Sequence, residues 1–322
     1  MPTSNVGPRT STSSRSARDL GSPSSGRHWP RRRMTTASEW VAGARPRTLG
    51  LACAPVVLGT AAATTNASFR PERALLALLV AIALQVGVNY ANDYADGIRG
   101  TDADRRGPMR LTATGVASPS AVRRAAILAL GLGAVFGAVL AVVVDLRLLL
   151  LGVAAIAAAW GYTGGRHPYG YAGWGEVAVL AFFGFAACAG SAYVQHATVP
   201  ATAWWGSLVV GLPACAVLLV NNIRDADGDA IAGKRTLAVR FGRPLAKRLF
   251  VGCFAGSLVA VILIAIDVPA AAIGLLAVIF AAGPVRLVLQ RSDPPGLVAA
   301  LVGTVRFTLV VSLLTTIGLV IG

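Results

Sequence analysis

Charge is scarce in this chain. Only 13% of its 322 residues are charged, against about a quarter in ordinary soluble domains. So few charges cannot cover the surface of a soluble protein of this length. A soluble fold would also show polar faces between its apolar stripes. Instead, 55% of the residues are hydrophobic, and they fall in long runs that are apolar all round. The shortage excludes a soluble fold and marks an integral membrane protein.

Other things are missing too. The four cysteines, Cys53, Cys188, Cys215 and Cys253, lie in apolar stretches without a Cys-x-x-Cys spacing. They read as small buried hydrophobes, which argues against disulfides and zinc. Residues 1–38 hold no apolar run, so they cannot serve as a signal peptide. Rich in Ser, Pro, Gly, Thr and Arg, they read as a disordered basic tail lying near anionic lipid. That tail carries much of the net charge of +15. The excess therefore does not point to nucleic acid.

Roughly 20 apolar residues cross a bilayer as a helix, and no unpaired backbone can remain in lipid. That rule gives an all-α bundle of nine spans over residues 39–322, near 48–65, 73–92, 120–144, 146–162, 173–194, 203–221, 244–266, 268–288 and 296–321. Links at Asp145-Leu146-Arg147 and Asp267-Val268-Pro269 are short enough to predict tight antiparallel pairs. Abundant Gly and Ala suit close helix packing in lipid. With the N-terminus inside, 25 of the 29 Lys and Arg fall on the cytoplasmic side. Three, Arg70, Arg73 and Arg147, fall outside, and Arg306 lies within the last span. This bias follows the positive-inside rule and places the loops at 93–119 and 222–243 in the cytoplasm.

Acids are the scarcest charge, 14 in all, yet seven of them occupy two short segments. One holds Asn92, Asp93, Asp96, Arg99, Asp102 and Asp104; the other holds Asn222, Arg224, Asp225, Asp227, Asp229 and Lys234. Each follows an apolar span, and both lie on one side of the membrane. Asn92 and Asp96 are four apart, as are Asp225 and Asp229, so each pair shares a helix face. Clustered carboxylates repel unless cations neutralise them. An oxygen-only set suits Mg²⁺, which takes remaining ligands from water and substrate phosphates. Arg99, Arg224 and Lys234 stand close enough in sequence to grip phosphate oxygens. The plainer alternative is solvated loop acids balancing nearby Arg.

A third segment reads Tyr162-Thr-Gly-Gly-Arg166-His-Pro-Tyr169-Gly-Tyr171. Its Gly and Pro shape a loop. Its Tyr residues serve either as an interfacial belt or as a pocket wall whose ring faces stabilise a cation, with Arg166 meeting a phosphate.

Together these segments resemble the UbiA superfamily of intramembrane aromatic prenyltransferases, and within it the MenA family. The resemblance covers about residues 40–322 and rests on Ala44-Arg45-Pro46-Arg47-Thr48-Leu49, residues 92–110, the loop 162–171, and residues 221–239. Asn92 and Asp96 meet the superfamily's Asn-x-x-x-Asp. Its third member four residues on is Gly100 here, with Asp102 displaced by two. Asp225 and Asp229 meet its Asp-x-x-x-Asp, while Tyr162 to Arg166 stands for its Tyr-x-x-x-Lys. The resemblance implies a bacterial cell-membrane enzyme that joins polyprenyl diphosphate to 1,4-dihydroxy-2-naphthoate with loss of CO₂, giving demethylmenaquinone. It further implies Mg²⁺ held by Asn92, Asp96, Asp102, Asp225 and Asp229, and diphosphate gripped by Arg99, Arg166, Arg224 and Lys234. Asp96, Asp225, Asp229 and Tyr162 would carry the chemistry, with Tyr94 and Tyr162 facing the allylic cation.

Three other readings compete. One is a 4-hydroxybenzoate acceptor within the same superfamily. Another is a CDP-alcohol phosphotransferase, since Asp93-Tyr-Ala-Asp96-Gly97 matches the opening of that motif but not its continuation. The last is a transporter, whose sites ordinarily lie at mid-depth. Arg306 stands alone in its span. It reads either as a structural pair with a polar group or as a ligand for the acceptor's carboxylate.

Overall fold

The computed structural model of the protein describes residues 34–65, 67–100, 109–165 and 168–322, and the described residues are helical with no strands. A short helix, α1 (Ala37–Ala44), precedes nine apolar ones. These are α2 (Pro46–Thr64), α3 (Pro71–Arg99), α4 (Pro119–Val143), α5 (Leu148–Gly161), α6 (Gly175–His196), α7 (Ala201–Ile231), α8 (Leu237–Asp267), α9 (Pro269–Gln290) and α10 (Pro294–Ile321).

The nine expected spans match these helices in order, but eight are long and apolar enough to cross a membrane. Helix α5 has 14 residues. At 1.5 Å per residue it is about 21 Å long, short of the roughly 30 Å hydrocarbon core. The acidic segments are also less loop-like than the sequence suggested. Helix α3 continues through Asp96 to Arg99, and α7 runs through Asp229 to Ile231. The carboxylates therefore ride on rigid helix ends.

Local chemistry explains the boundaries. Proline opens α2, α3, α4, α9 and α10, where its fixed φ suits the first turn and its missing N–H leaves nothing unpaired. Ser118 and Asp293 cap α4 and α10 by accepting from the backbone of Ala121 and Gly296. Helix α1 has a reciprocal cap in which Thr36 Oγ1 accepts from Glu39 N and Glu39 Oε2 from Thr36 N. The Thr36-x-x-Glu39 spacing is the sequence signature of such a box, but α1 was not expected. A kink at Gly242 (φ 82°, ψ 159°) bends the start of α8 just before Pro244.

Packing depends on small residues. A Cβ on Gly59 of α2 would lie 2.0 Å from the Cys188 carbonyl oxygen of α6. One on Gly211 of α7 would lie 2.8 Å from the Gly184 Cα. Backbones in contact at these points replace the hydrophobic drive that lipid cannot supply. The cysteines are free, and three of the four are buried.

Opposite the acidic helix ends, Arg73 and Arg147 are engaged through their side chains and Arg70 through its backbone. Arg73 donates to the Val194 and Gln195 carbonyls that α6 leaves open, and Gln195 Oε1 accepts from Arg70 N. Asp145 and Arg147, in the link from α4 to α5, form an ion pair that also binds the Tyr193 hydroxyl. The Arg147 guanidinium holds the Asp145 carboxyl below the usual range.

Candidate active site

The ends of α3 and α7 come together at one face of the bundle, above an apolar cavity of about 350 Å³. Leu51, Leu84, Leu140, Phe182 and Val194 are among its walls, and Asn92, Tyr162 and Asn221 stand at its mouth. Helix periodicity puts Asn89, Asn92 and Asp96 along one side of α3.

Each acid here has a distinct task. Asp93, 1% exposed, accepts from the amides of Leu111 at 2.7 Å and Thr112 at 2.9 Å. It pins the turn after residue 109 back onto α3 and faces away from the cavity. This also argues against the phosphotransferase motif, which would require that carboxylate at the site. Asp96 instead accepts from the Tyr171 hydroxyl and faces Arg110 at 3.6 Å and Lys234 at 3.9 Å. Lys234 also reaches Asp229 at 3.4 Å, so one ammonium links the carboxylates of α3 and α7. That ammonium sits 4.7 Å from the Tyr171 ring centre.

The remaining expected residues divide. Asn92 Oδ1 accepts from Thr163 Oγ1 at 2.7 Å, joining α3 to the 162–165 turn. Tyr162 lines the cavity, with its ring edge-on to Tyr169 at 5.5 Å. Burial holds the Tyr162 hydroxyl above the ordinary phenol range. Asp225 is held by its neighbour Arg224 through two bonds of 2.7 and 2.8 Å. Arg99 donates to the carbonyls of Thr163 and Gly165 and lies over the Tyr171 ring. These bonds tie the end of α3 to the loop. Asp102 and Arg166 lie outside the described residues.

Two expected residues are not brought to the site. Tyr94 packs with Tyr90, Leu111 and Val122 and does not line the cavity. Arg306 is exposed on α10 with its guanidinium 4.9 Å from the Phe280 ring centre, away from the cavity lining. A lipid-facing stack of this kind keeps it from an acceptor in the chamber.

The structure also adds residues that the sequence reading missed. Arg110 folds back onto Asp96 across a turn whose path no local spacing reveals. Glu176, buried at the start of α6, accepts from Asn222 Nδ2 at 2.8 Å. Its signal was available: one of the few acids in an apolar segment, opening a span. Arg45, in the left-handed region at φ 57°, lines the cavity between α1 and α2. Among the described residues, no three of His, Cys, Asp and Glu are grouped closely enough to cage a metal by themselves.

Comparison with known proteins agrees with this geometry. The description "UbiA prenyltransferase family" matches residues 52–320. A relative from Mycobacterium tuberculosis named 1,4-dihydroxy-2-naphthoate octaprenyltransferase is 48% identical over 79% of this chain and 88% of its own length. One of the same name from Escherichia coli is 38% identical over 87% of this chain and 94% of its own. Among solved structures, a UbiA homolog from Archaeoglobus fulgidus bound to GPP and Mg²⁺ is similar in fold, with a TM-score of 0.58 at 16% identity, covering 88% of this chain and 99% of that one. The match runs from within α2 nearly to the end of α10 and includes both acidic helix ends, and the chain belongs to the UbiA prenyltransferase family.

Proposed function

We propose that this protein transfers a polyprenyl group from polyprenyl diphosphate to 1,4-dihydroxy-2-naphthoate with loss of CO₂, yielding demethylmenaquinol, the hydroquinone form of demethylmenaquinone. One observation carries the reading. Two helix ends bring Asp96 and Asp229 to a single cation at the mouth of an apolar chamber. That arrangement suits a substrate with a charged diphosphate head and a long hydrocarbon tail. The acceptor follows from the named relatives.

The donor set fits magnesium. Asn92, Asp96, Asp225 and Asp229 offer only oxygen, and Lys234 already stands between two of them as a positive charge. Magnesium ordinarily uses one or two carboxylates and takes its other ligands from phosphate and water, so the missing three-carboxylate cage is no obstacle. Asp102 belongs to the same proposed set. When bound, the metal would supply positive charge to the departing diphosphate.

The protein's own groups complete the chemistry. Lys234, Arg224, Arg110 and Arg166 gather positive charge around the diphosphate. The C1–O bond of the prenyl chain breaks, and its electron pair leaves with the diphosphate. The chamber walls exclude water from the allylic cation, whose charge meets the ring face of Tyr162. A ring carbon of the acceptor then bonds to C1, and the carboxylate departs as CO₂, returning its electrons to the ring. The Lys and Arg bias supports a mouth at the cytoplasmic face of a bacterial plasma membrane.

Purified protein in detergent tests the reading directly. With Mg²⁺ and a polyprenyl diphosphate, 1,4-dihydroxy-2-naphthoate should be consumed with equal release of diphosphate and CO₂, and chelation should stop it. Turnover of 4-hydroxybenzoate in its place would overturn the acceptor assignment.

A further inference from the structure

Among the polar groups of the chamber that the proposed chemistry leaves unused, one stands out. Gln85 lines the chamber wall on α3, seven residues before Asn92. Two helical turns put it about 10 Å deeper than the mouth, among Leu84, Val88 and Leu140. It is only 8% exposed, and its Oε1 makes no hydrogen bond. Several other polar residues of the lining are occupied: Asn92 with Thr163, Asn89 with the Ala44 carbonyl, Thr48 with the Arg45 carbonyl, and Tyr169 with the Ala158 carbonyl. Of the buried side-chain polar atoms without a partner among the described residues, Gln85 Oε1 alone belongs to a chamber residue.

Leaving such an atom unpaired in a folded protein is costly. A larger apolar side chain would remove that cost, so an amide here calls for a ligand that completes it. The terminal torsion of glutamine is soft, so rotation about it can present the carbonyl to the chamber that the residue lines. An aromatic ring bearing a free hydroxyl would satisfy it. In 1,4-dihydroxy-2-naphthoate the 1-hydroxyl lies beside the carboxylate and bonds to it internally. The 4-hydroxyl, across the ring, is the donor left over.

Resting on the proposed acceptor, we infer that Gln85 is a specificity-determining residue that accepts a hydrogen bond from the acceptor's 4-hydroxyl. Sites built to bond a substrate hydroxyl discriminate strongly against analogues that lack it.

The test compares 1,4-dihydroxy-2-naphthoate with 1-hydroxy-2-naphthoate in the wild type and in Gln85→Met, which keeps volume and loses polarity. The missing hydroxyl also weakens the ring as a nucleophile, but that intrinsic effect is common to both proteins and cancels in the ratio of kcat/KM values. The wild-type preference for the dihydroxy acid should fall about tenfold in the variant, with the KM for polyprenyl diphosphate unchanged. A merely structural role would lower both acids together and leave the ratio intact, which overturns the inference. Competition binding to the wild type gives a check that needs no variant: the 4-hydroxyl should tighten binding about tenfold, and equal affinities would overturn the inference. Should the wild type prenylate neither naphthoate, the acceptor assignment falls and takes this inference with it. Preserved turnover with an unchanged ratio removes the inference alone.

Discussion

The two acidic helix ends look alike in sequence, and the fold treats them differently. At the end of α3, positioning is long-range: Asp93 is tied to residues 111 and 112, Asn92 to Thr163, and Asp96 to Tyr171, Arg110 and Lys234. At the end of α7 it is mostly local, with Asp225 held by the adjacent Arg224 and Asp229 by Lys234 five residues on. Asp227 is exposed and pairs with Arg243. Among the described contacts, the first half-site is thus held largely by groups distant in sequence, whereas Asp225 and Asp229 of the second each have a partner within five residues. Repeated carboxylates at matching spacings need not have matching roles.

The strongest break of this comparison is to remove one reactive acid from each side. Asp96→Asn and Asp229→Asn should each lower turnover on the order of 10²–10³-fold, as losing one preorganised electrostatic group does. Because one cation links them, the double variant should be little worse than either single one. Steady-state rates in detergent decide this, and losses that multiply would mean two independent sites.

Asp93 sharpens the contrast within α3 itself. Asp93→Ala strands two buried amides, at a cost of roughly 1–3 kcal/mol for each unsatisfied group. The expected result is a lower thermal midpoint with an unchanged Mg²⁺ concentration for half-maximal rate. A shifted metal requirement at normal stability would make Asp93 a ligand after all.

A smaller effect is expected at Lys234. Losing a charge-assisted contact of about 1.5 kcal/mol, the low end of the usual range, should raise the KM for polyprenyl diphosphate about tenfold in Lys234→Met. The KM for the aromatic acid should not move. Equal changes in both would show that Lys234 only braces the two carboxylates.

Much of this was legible without coordinates, for identifiable reasons. A bilayer imposes a length and a composition on each crossing, so the apolar runs located α2 to α10 in order, although α3, α7 and α8 each extend well beyond their apolar run at one end. Scarcity made the acids stand out, and four-residue spacing is a local property of helices. What stayed hidden depends on chain reversal. No spacing tells that the backbone at 111 returns to Asp93, that Arg110 reaches Asp96, or that Arg99 serves loop carbonyls. Helix α1 could have been found from Thr36 and Glu39, a signal outweighed by the tail's composition. The labelling pattern of the two faces tests the topology that the charges imply. A cysteine at residue 70 should react with an impermeant reagent on intact cells, and one at 235 should not.

Arg306 separates what sequence and structure each imply, and its predicted effect is the smallest. An arginine alone within a span looks functional, because a charge at mid-depth costs from about 2.5 kcal/mol upward. The helix turns it outward, however, beside the exposed Val302 and Leu309, with Phe280 beneath its guanidinium. Contacts of that kind contribute roughly 0.5–1 kcal/mol at exposed sites, which offsets only part of the burial cost. The remainder falls when the long side chain draws its head toward water, as arginines near lipid do. Replacement by a neutral residue therefore removes one modest attraction and one desolvation cost of opposite sign. Arg306→Gln should change the thermal midpoint little and leave the KM for both substrates at wild-type values. A rise in the KM for the aromatic acid alone would show that α10 turns this side chain inward during catalysis, and would return Arg306 to the acceptor site.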